Sequence, residues 1–77
     1  MNLIRFTFAN IFDFKLVMDA IKPSYVNEDG PLNVSAKLHA SNSDNLQIVF
    51  KYYRFTRRIM HFVNNICTPT NIEDLHE

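Results

Sequence analysis

Three histidines and one cysteine are the side chains of this chain that most often carry catalysis or bind metals in proteins. His39, His61 and His76 fall on three different segments, and none of them has a Cys, Asp or Glu at a metal-ligand spacing. A structural zinc site needs four converging ligands, and Cys67 has no histidine partner in sequence that would activate its thiol. We therefore expect no catalytic residue, no metal and no cofactor, and we predict that the protein is not an enzyme.

The segment from Lys51 to Arg58, KYYRFTRR, interleaves basic and aromatic side chains. This composition is typical of surfaces that bind phosphates and stack on bases. A strand-to-helix junction, with its rings in the core and its basic residues in solvent, explains the same pattern. Basic and acidic residues are equal in number, 8 each, which favours this second interpretation. If the segment binds RNA, the contacts are Lys51, Arg54, Arg57 and Arg58.

The spacing of apolar residues indicates the elements that must position these side chains. Alternation from Leu3 to Phe8 predicts a first strand. Asn10 is a good N-cap residue, and a helical repeat follows it, so we predict a first helix. Its end is expected near Lys22, because Pro23 has no N–H to donate and disfavours helix at the residue before it. The predicted apolar face of this helix consists of Phe14, Val17, Met18 and Ile21.

A hairpin and a second helix are predicted next. After a surface loop at residues 23–31, every second residue is apolar from Leu32 to Ala40, which predicts a second strand. A polar tip, Ser41 to Asn45, joins it to a third strand, in which the alternation runs from Leu46 to Tyr52. Beyond Arg54 the spacing becomes helical. The predicted apolar face of the second helix consists of Phe55, Ile59, Phe62, Val63 and Ile66.

The end of the chain leaves two alternatives. Pro69 interrupts the second helix, while Thr70 and Glu73 have the spacing of a capping box. Either the helix kinks at Pro69, or a short new helical turn begins there. The element order is then β-α-β-β-α, an α+β fold. We predict a three-stranded antiparallel sheet in the order 1-3-2, with two helices packed on one face.

The length of 77 residues predicts a single domain over residues 1–77. A chain this short buries only about 60–65% of the surface that its unfolded form exposes, so a partner would add to a small core. No stretch approaches the roughly 20 apolar residues of a membrane span, and no signal peptide is evident. One cysteine cannot form an internal disulfide, and we expect a cytoplasmic or nuclear protein.

Both predicted helices carry large apolar residues outside their core stripes. These residues are Ile11, Phe12 and Leu16 on the first helix and Met60 on the second. Apolar residues that a core cannot use usually mark a surface that binds another protein, so we predict these four as partner-binding residues. The open edge strand of the predicted sheet further predicts that the protein is not monomeric.

Four segments carry a resemblance to a known family. They are the strand IRFTF, which ends at Phe8, the helix end DAIKPS, the strand LQIVFK and the helix start RRIMHFVNNI. In this order and spacing, from about Leu3 to Leu75, the chain resembles the Pcc family, the small dimerising subunit of the KEOPS (also EKC) complex. Thr7, Ser24 and Pro69 depart from the family's pattern. The last of them interrupts a helix that family members continue.

The resemblance implies a non-catalytic assembly subunit that supports threonylcarbamoyl modification of adenosine in tRNA. It implies a dimer with itself or with a related small subunit, formed through the sheet edge and the helices. It also implies that the helical face binds the sugar-kinase-like catalytic subunit, and that tRNA is reached only indirectly, through the complex. A small RNA-binding module that uses Lys51 to Arg58 is the alternative function.

Overall fold

The computed structural model describes residues 2–26, 36–52 and 57–76. The strands are β1 (Asn2–Thr7), β2 (Ala36–Asn42), β3 (Gln47–Tyr52) and β4 (Asn71–His76), and the helices are α1 (Ile11–Val26) and α2 (Arg57–Asn64). All four strands form one sheet in the order β2-β3-β1-β4, and every neighbouring pair is antiparallel. This is the split β-α-β arrangement of ferredoxin-like folds, a scaffold that hosts many unrelated functions.

The predicted three-stranded sheet in the order 1-3-2 is wrong, because the chain adds a fourth strand after Pro69. The N–H of Thr70 donates to the carbonyl oxygen of Thr7 at 2.8 Å, and β4 then pairs with the whole of β1. Neither a kinked α2 nor a new helical turn forms there. Without β4, β1 would leave its N–H and C=O groups unpaired along one edge. Pairing satisfies these groups and sets Ile72 beside Phe6 on the sheet.

The core lies between the two helices and one face of the sheet. Phe6 on β1 and Phe50 on β3 are fully buried at its centre. Their ring centroids are 5.6 Å apart at an interplanar angle of 79°, the edge-to-face geometry that aromatic pairs prefer. Because α1 and α2 both contribute to this one cluster, both helices cover the same sheet face. Their buried residues are Phe14, Val17 and Ile21 from α1 and Ile59 and Val63 from α2.

Helix α1 begins as its sequence predicts and ends later. Asn10 caps it, since its Oδ1 accepts a hydrogen bond from the N–H of Asp13 at 2.9 Å. The predicted apolar face is confirmed, with Met18 packed against the core beside the three buried residues. The expected end at Lys22 is wrong, because the helix continues to Val26. Proline in general lacks the N–H that a helix interior uses but has a φ compatible with helix, so a proline near the end of a helix need not terminate it.

Helix α2 keeps the core positions that the sequence predicts. Ile59 and Val63 are buried, and Phe62 and Ile66 pack against the core. Phe55 and the predicted switch from strand to helix at residues 53–56 lie outside the described residues. The beginning of the predicted second strand, residues 32–35, lies outside them as well.

A β-bulge changes the register of the hairpin. Leu38 pairs with Phe50, whereas Ala40 pairs with Val49, so His39 is an extra residue in β2. The bulge turns Ala40 to the sheet face opposite Leu38. The alternation predicted from Leu32 to Ala40 would place these two residues on one face, and this prediction is wrong, because a one-residue insertion reverses the alternation.

The turn of the hairpin occupies residues 43–46, so it begins two residues later and ends one residue later than the predicted tip from Ser41 to Asn45. Leu46 does not open β3 but ends the turn with a φ of 57°, a left-handed conformation that costs a non-glycine residue about 1–2 kcal/mol. Two contacts offset this cost. The carbonyl oxygen of Leu46 accepts a hydrogen bond from the N–H of Phe8 at 2.9 Å, and its side chain packs against the core.

Candidate interaction surface

The exposed side of α1 carries the large apolar side chains that the core does not use. Within the described part of the chain, three such side chains are exposed: Ile11 at 45%, Phe12 at 68% and Leu16 at 41%. Phe12 and Leu16 are one helical turn apart, so they share a side of the helix. That side faces away from the stripe that packs on the sheet. We refer to Ile11, Phe12 and Leu16 as the α1 surface.

Charged residues border the α1 surface. Lys15 and Asp19 are exposed and follow Phe12 at positions i+3 and i+7, which places them on the same side of the helix. An apolar centre with a polar border is the usual anatomy of a protein–protein interface.

Met60, the fourth residue predicted to bind a partner, has a different environment. It is half-buried on α2 and packs against the core. A flexible thioether side chain commonly fills such irregular gaps at the margin of a core. Phe12 and Leu16 are therefore brought together on one side of α1, Ile11 lies at its first position, and Met60 belongs to the packing of α2.

The predicted basic and aromatic segment is divided between opposite sides of the sheet. Lys51 lies on the face away from the helices, because it pairs with Lys37 and Leu3. Its neighbour Tyr52 is 3% exposed and belongs to the core. Arg57 is exposed in the first turn of α2. Arg54 and the side chain of Arg58 lie outside the described residues.

The positions of aromatic side chains on the two central strands, β1 and β3, are relevant to the alternative function, RNA binding. Four-stranded sheets that bind single-stranded RNA stack bases on aromatic side chains of these strands. Here the aromatic residues Phe6, Phe50 and Tyr52 are buried beneath the helices. The opposite face of the sheet, which we call the open face, has no aromatic side chain on the described parts of β1 and β3. These strands place there Leu3, Arg5, Thr7, Gln47, Val49 and Lys51.

The histidines and the cysteine remain dispersed. His39 is exposed at the bulge and His61 on α2, whereas the side chain of His76 lies outside the described residues. Among the residues described, no three His, Cys, Asp or Glu side chains gather in a metal-binding group. Burial raises the pKa of the half-buried Cys67 thiol, and the negative charge of Asp13 raises it further. At neutral pH this thiol is protonated and therefore a weak nucleophile.

On the open face, an ion pair joins β1 to the strand that the sequence did not predict. Arg5 Nη2 donates to Glu73 Oε2 at 2.7 Å. The sequence indicates only that Arg5 lies on a polar strand face, because its partner is supplied by β4. Beside Arg5 the open face forms a concavity of about 250 Å³. Its lining consists of Arg5, Ala40, Ser41, Asn42, Gln47 and Val49.

On the helix-covered face, a hydrogen bond spans β1. The hydroxyl of Tyr52 on β3 donates to Asp74 Oδ1 on β4 at 2.9 Å. Burial raises the pKa of Tyr52, and the hydrogen bond to Asp74 and its negative charge raise it further. The interaction ties the unpredicted strand to the centre of the sheet.

None of the helices in the described part of the chain has the length and apolar character needed to cross a lipid bilayer. Two surfaces of the described residues are candidates for a function, the α1 surface and the concavity of the open face. No protein-family model, no curated protein and no solved structure matches this chain.

Proposed function

We propose that this protein is a non-catalytic binding subunit that docks onto a larger protein through the α1 surface. The observation that carries the proposal is the exposure of Phe12, 68%, at the centre of that surface. Removing a side chain such as Phe or Leu from water stabilises a complex by about 1.5–3 kcal/mol. Aromatic anchors surrounded by polar residues typically dominate the binding energy of an interface.

The spacing of the α1 surface indicates the shape of its partner. Phe12 and Leu16 stand at i and i+4, and Ile11 widens the surface at the beginning of the helix. A helix that presents such anchors fits an apolar groove or packs against another helix. Lys15 and Asp19 are placed to set the orientation of docking, since charges at the border of an interface favour one arrangement over others.

The edges of the sheet disfavour docking by addition of a strand. β4 carries Glu73 and Asp74 along its length, and β2 contains Lys37 and the bulge at His39. Charges and bulges on edge strands hinder pairing with further strands. This leaves the α1 surface as the route of assembly that the fold supports best.

The resemblance to the Pcc family suggests the partner, the sugar-kinase-like catalytic subunit of the KEOPS complex. In that assembly the protein would support threonylcarbamoyl modification of tRNA without contacting tRNA itself, in the cytoplasm, the nucleus or both. The likeness in β1, at the end of α1 and in β3 supports this partner. β4 departs from the three-stranded fold that the likeness implies, so the partner and the docking surface need separate tests.

Co-purification with a tagged sugar-kinase-like subunit tests both parts of the proposal. We expect the unaltered protein to be retained and the double variant Phe12→Asp, Leu16→Lys to be lost. Changes at exposed positions typically cost less than about 0.5 kcal/mol of folding stability, whereas an unpaired charge in the centre of an interface costs several kcal/mol. The matched control is Ser43→Asp with Asn64→Lys, which places the same charges at exposed sites away from the α1 surface.

Three results would count against the proposal. Retention of a folded double variant would exclude the α1 surface as the docking site. Unfolding of the double variant, seen by circular dichroism, would show that Phe12 and Leu16 belong to the core. Failure of the unaltered protein to bind would exclude this partner. Self-association of the purified protein then tests the α1 surface independently, because the same two substitutions should abolish it.

A further inference from the structure

The concavity on the open face lies where β1, β3 and β2 run side by side. Arg5 pairs with Val49, and Val49 pairs with Ala40, so these three residues form a row across the concavity from β1 to β2. The bulge at His39 is what turns Ala40 to this face. The volume of about 250 Å³ is below the roughly 300–1,000 Å³ of sites for drug-sized molecules. A ligand of a few heavy atoms therefore suits it.

Arg5 supplies the positive charge of the concavity, and the described residues use only part of its hydrogen-bonding capacity. A guanidinium has five N–H donors, of which Glu73 accepts from Nη2. The Nε of Arg5 is buried and has no acceptor among the described residues. The side chain as a whole is 31% exposed, so part of it can be reached from solvent. Glu73 binds the guanidinium of Arg5 from the β4 side, whereas the concavity lies on the side of β3 and β2.

The other polar lining residues are neutral and can donate. Asn42 Oδ1 accepts hydrogen bonds from the N–H groups of Asp44 at 2.9 Å and Asn45 at 3.2 Å. This turn fixes the side chain of Asn42 and leaves its Nδ2 group as the donor it can offer to a ligand. Among the described residues, Gln47 Nε2 makes only a long contact of 3.5 Å with Thr7 Oγ1. No carboxylate lines the concavity.

We propose that the concavity binds a small organic carboxylate. Its two oxygens would accept from the guanidinium of Arg5 in the forked geometry that this pair favours, and from Asn42 or Gln47. Its short apolar part would lie on Ala40 and Val49. This inference is independent of the α1 surface, which lies on the other side of the sheet.

Titration of the ¹⁵N-labelled protein with sodium propionate, followed by NMR, tests the proposal. Saturable shifts are expected at the amides of Arg5, Asn42, Gln47 and Val49. Propionamide, which has the same shape without the charge, should produce no saturable shift. Potassium chloride at matched ionic strength separates binding from a general salt effect.

Asn42→Asp is the most informative variant, because an Asp preserves the acceptor that the turn needs while it replaces the donor with a negative charge. We expect it to bind propionate about tenfold more weakly or worse, with an unchanged thermal midpoint. Asn45→Asp is the matched control, since it adds the same charge to the same turn outside the lining, and it should bind as the unaltered protein does. Arg5→Gln should abolish binding, and its amide spectrum reports whether the fold is retained.

The proposal is overturned if propionate gives no saturable shifts at the lining amides. It is also overturned if propionamide binds equally well, or if Asn42→Asp and Asn45→Asp have the same affinity as the unaltered protein. Saturation by inorganic phosphate at a lower concentration than by propionate would replace the carboxylate by a phosphate as the ligand class.

Discussion

At the level of single residues, burial decides how a polar group behaves. The hydroxyl of Tyr52 is taken out of water and directed at Asp74, which favours its neutral form. The thiol of Cys67 is also held in its protonated form by burial. Each of these polar groups contributes to structure and has a lowered capacity to react.

Tyr52→Phe should separate the hydrogen bond from the packing of the ring. At neutral pH we expect a loss of about 1 kcal/mol in the free energy of unfolding, because one hydrogen bond is removed. A pKa raised in the folded state gives stability that is present below the ordinary tyrosine value of 10.0. This stability is lost as the pH rises through the folded-state pKa. Urea unfolding at a series of pH values measures both effects.

Asp74→Asn is the control for the pH dependence, since it keeps an acceptor for the Tyr52 hydroxyl and removes the charge. Its stability should fall less steeply above pH 10.0 than that of the unaltered protein. If Tyr52→Phe and the unaltered protein lose stability in parallel over this range, the hydroxyl of Tyr52 is not held neutral by folding.

Phe50→Ala should destabilise the protein by about 3–5 kcal/mol, because its ring is fully buried at the centre of the core and a cavity would remain. Val49→Ala is the matched control. Its side chain lies on the open face and is only half-buried, so we expect a loss of about 1 kcal/mol. Thermal and urea unfolding measure both. Similar losses for the two variants would mean that the faces of β3 are assigned the wrong way round.

At the level of elements, the local sequence pattern predicts a helix or strand correctly where that element depends only on its own residues. The prediction fails where pairing with a distant strand determines the structure. Asn10 and the helical repeat after it specify α1, and alternation specifies β1 and β3. The sequence of Asn71–His76 does not predict a strand, since Glu73 and Asp74 disfavour one. Ile72 and Leu75 also have helical spacing. Pairing with the otherwise unpaired edge of β1 outweighs that preference. The local sequence pattern of residues 71–76 does not reveal this pairing.

The same limit applies to the candidate sites. The exposed residues of the α1 surface could be predicted, because helical spacing shows which side chains lie off the core stripe. The concavity beside Arg5 could not be predicted, because it depends on the bulge at His39 and on the pairing of Arg5 with Val49 of β3. Register between distant strands is set by the complete fold.

Removal of residues 71–77 tests the contribution of β4. We expect lower stability against urea and association that increases with concentration, since β1 would become an open edge with its hydrogen-bonding groups unpaired. Circular dichroism and light scattering measure these effects. Removal of Glu77 alone is the control and should change neither property. Equal stability of the shortened and complete chains would show that the pairing of β4 with β1 contributes nothing.

At the level of the whole molecule, the apolar surface of the described residues is concentrated on one side. The sheet edges are protected by charges and a bulge, whereas α1 exposes Phe12 and Leu16. A small core gives a protein of this size little stability to spare. Association through α1 would add buried apolar area without opening the sheet.

We predict that the purified protein, 9.1 kDa as a monomer, self-associates at micromolar concentration through the α1 surface. Light scattering coupled to size-exclusion chromatography should give a mass above that of the monomer. The double variant Phe12→Asp, Leu16→Lys should elute as a monomer, and Ser43→Asp with Asn64→Lys should behave as the unaltered protein. A monomeric mass for the unaltered protein throughout the concentration series would contradict the prediction.

The pairing of Asn2 with His76 has a consequence for how the protein is made. β1 is the first of the four described strands to be synthesised, and one of its neighbours, β4, is the last of them. A nascent chain that has reached β3 can pair only one side of β1, while the other side stays available to any strand nearby. The ribosome must therefore release β4 before β1 is paired on both sides, and misassembly through the open edge of β1 is most favoured in the interval between the synthesis of β3 and that of β4.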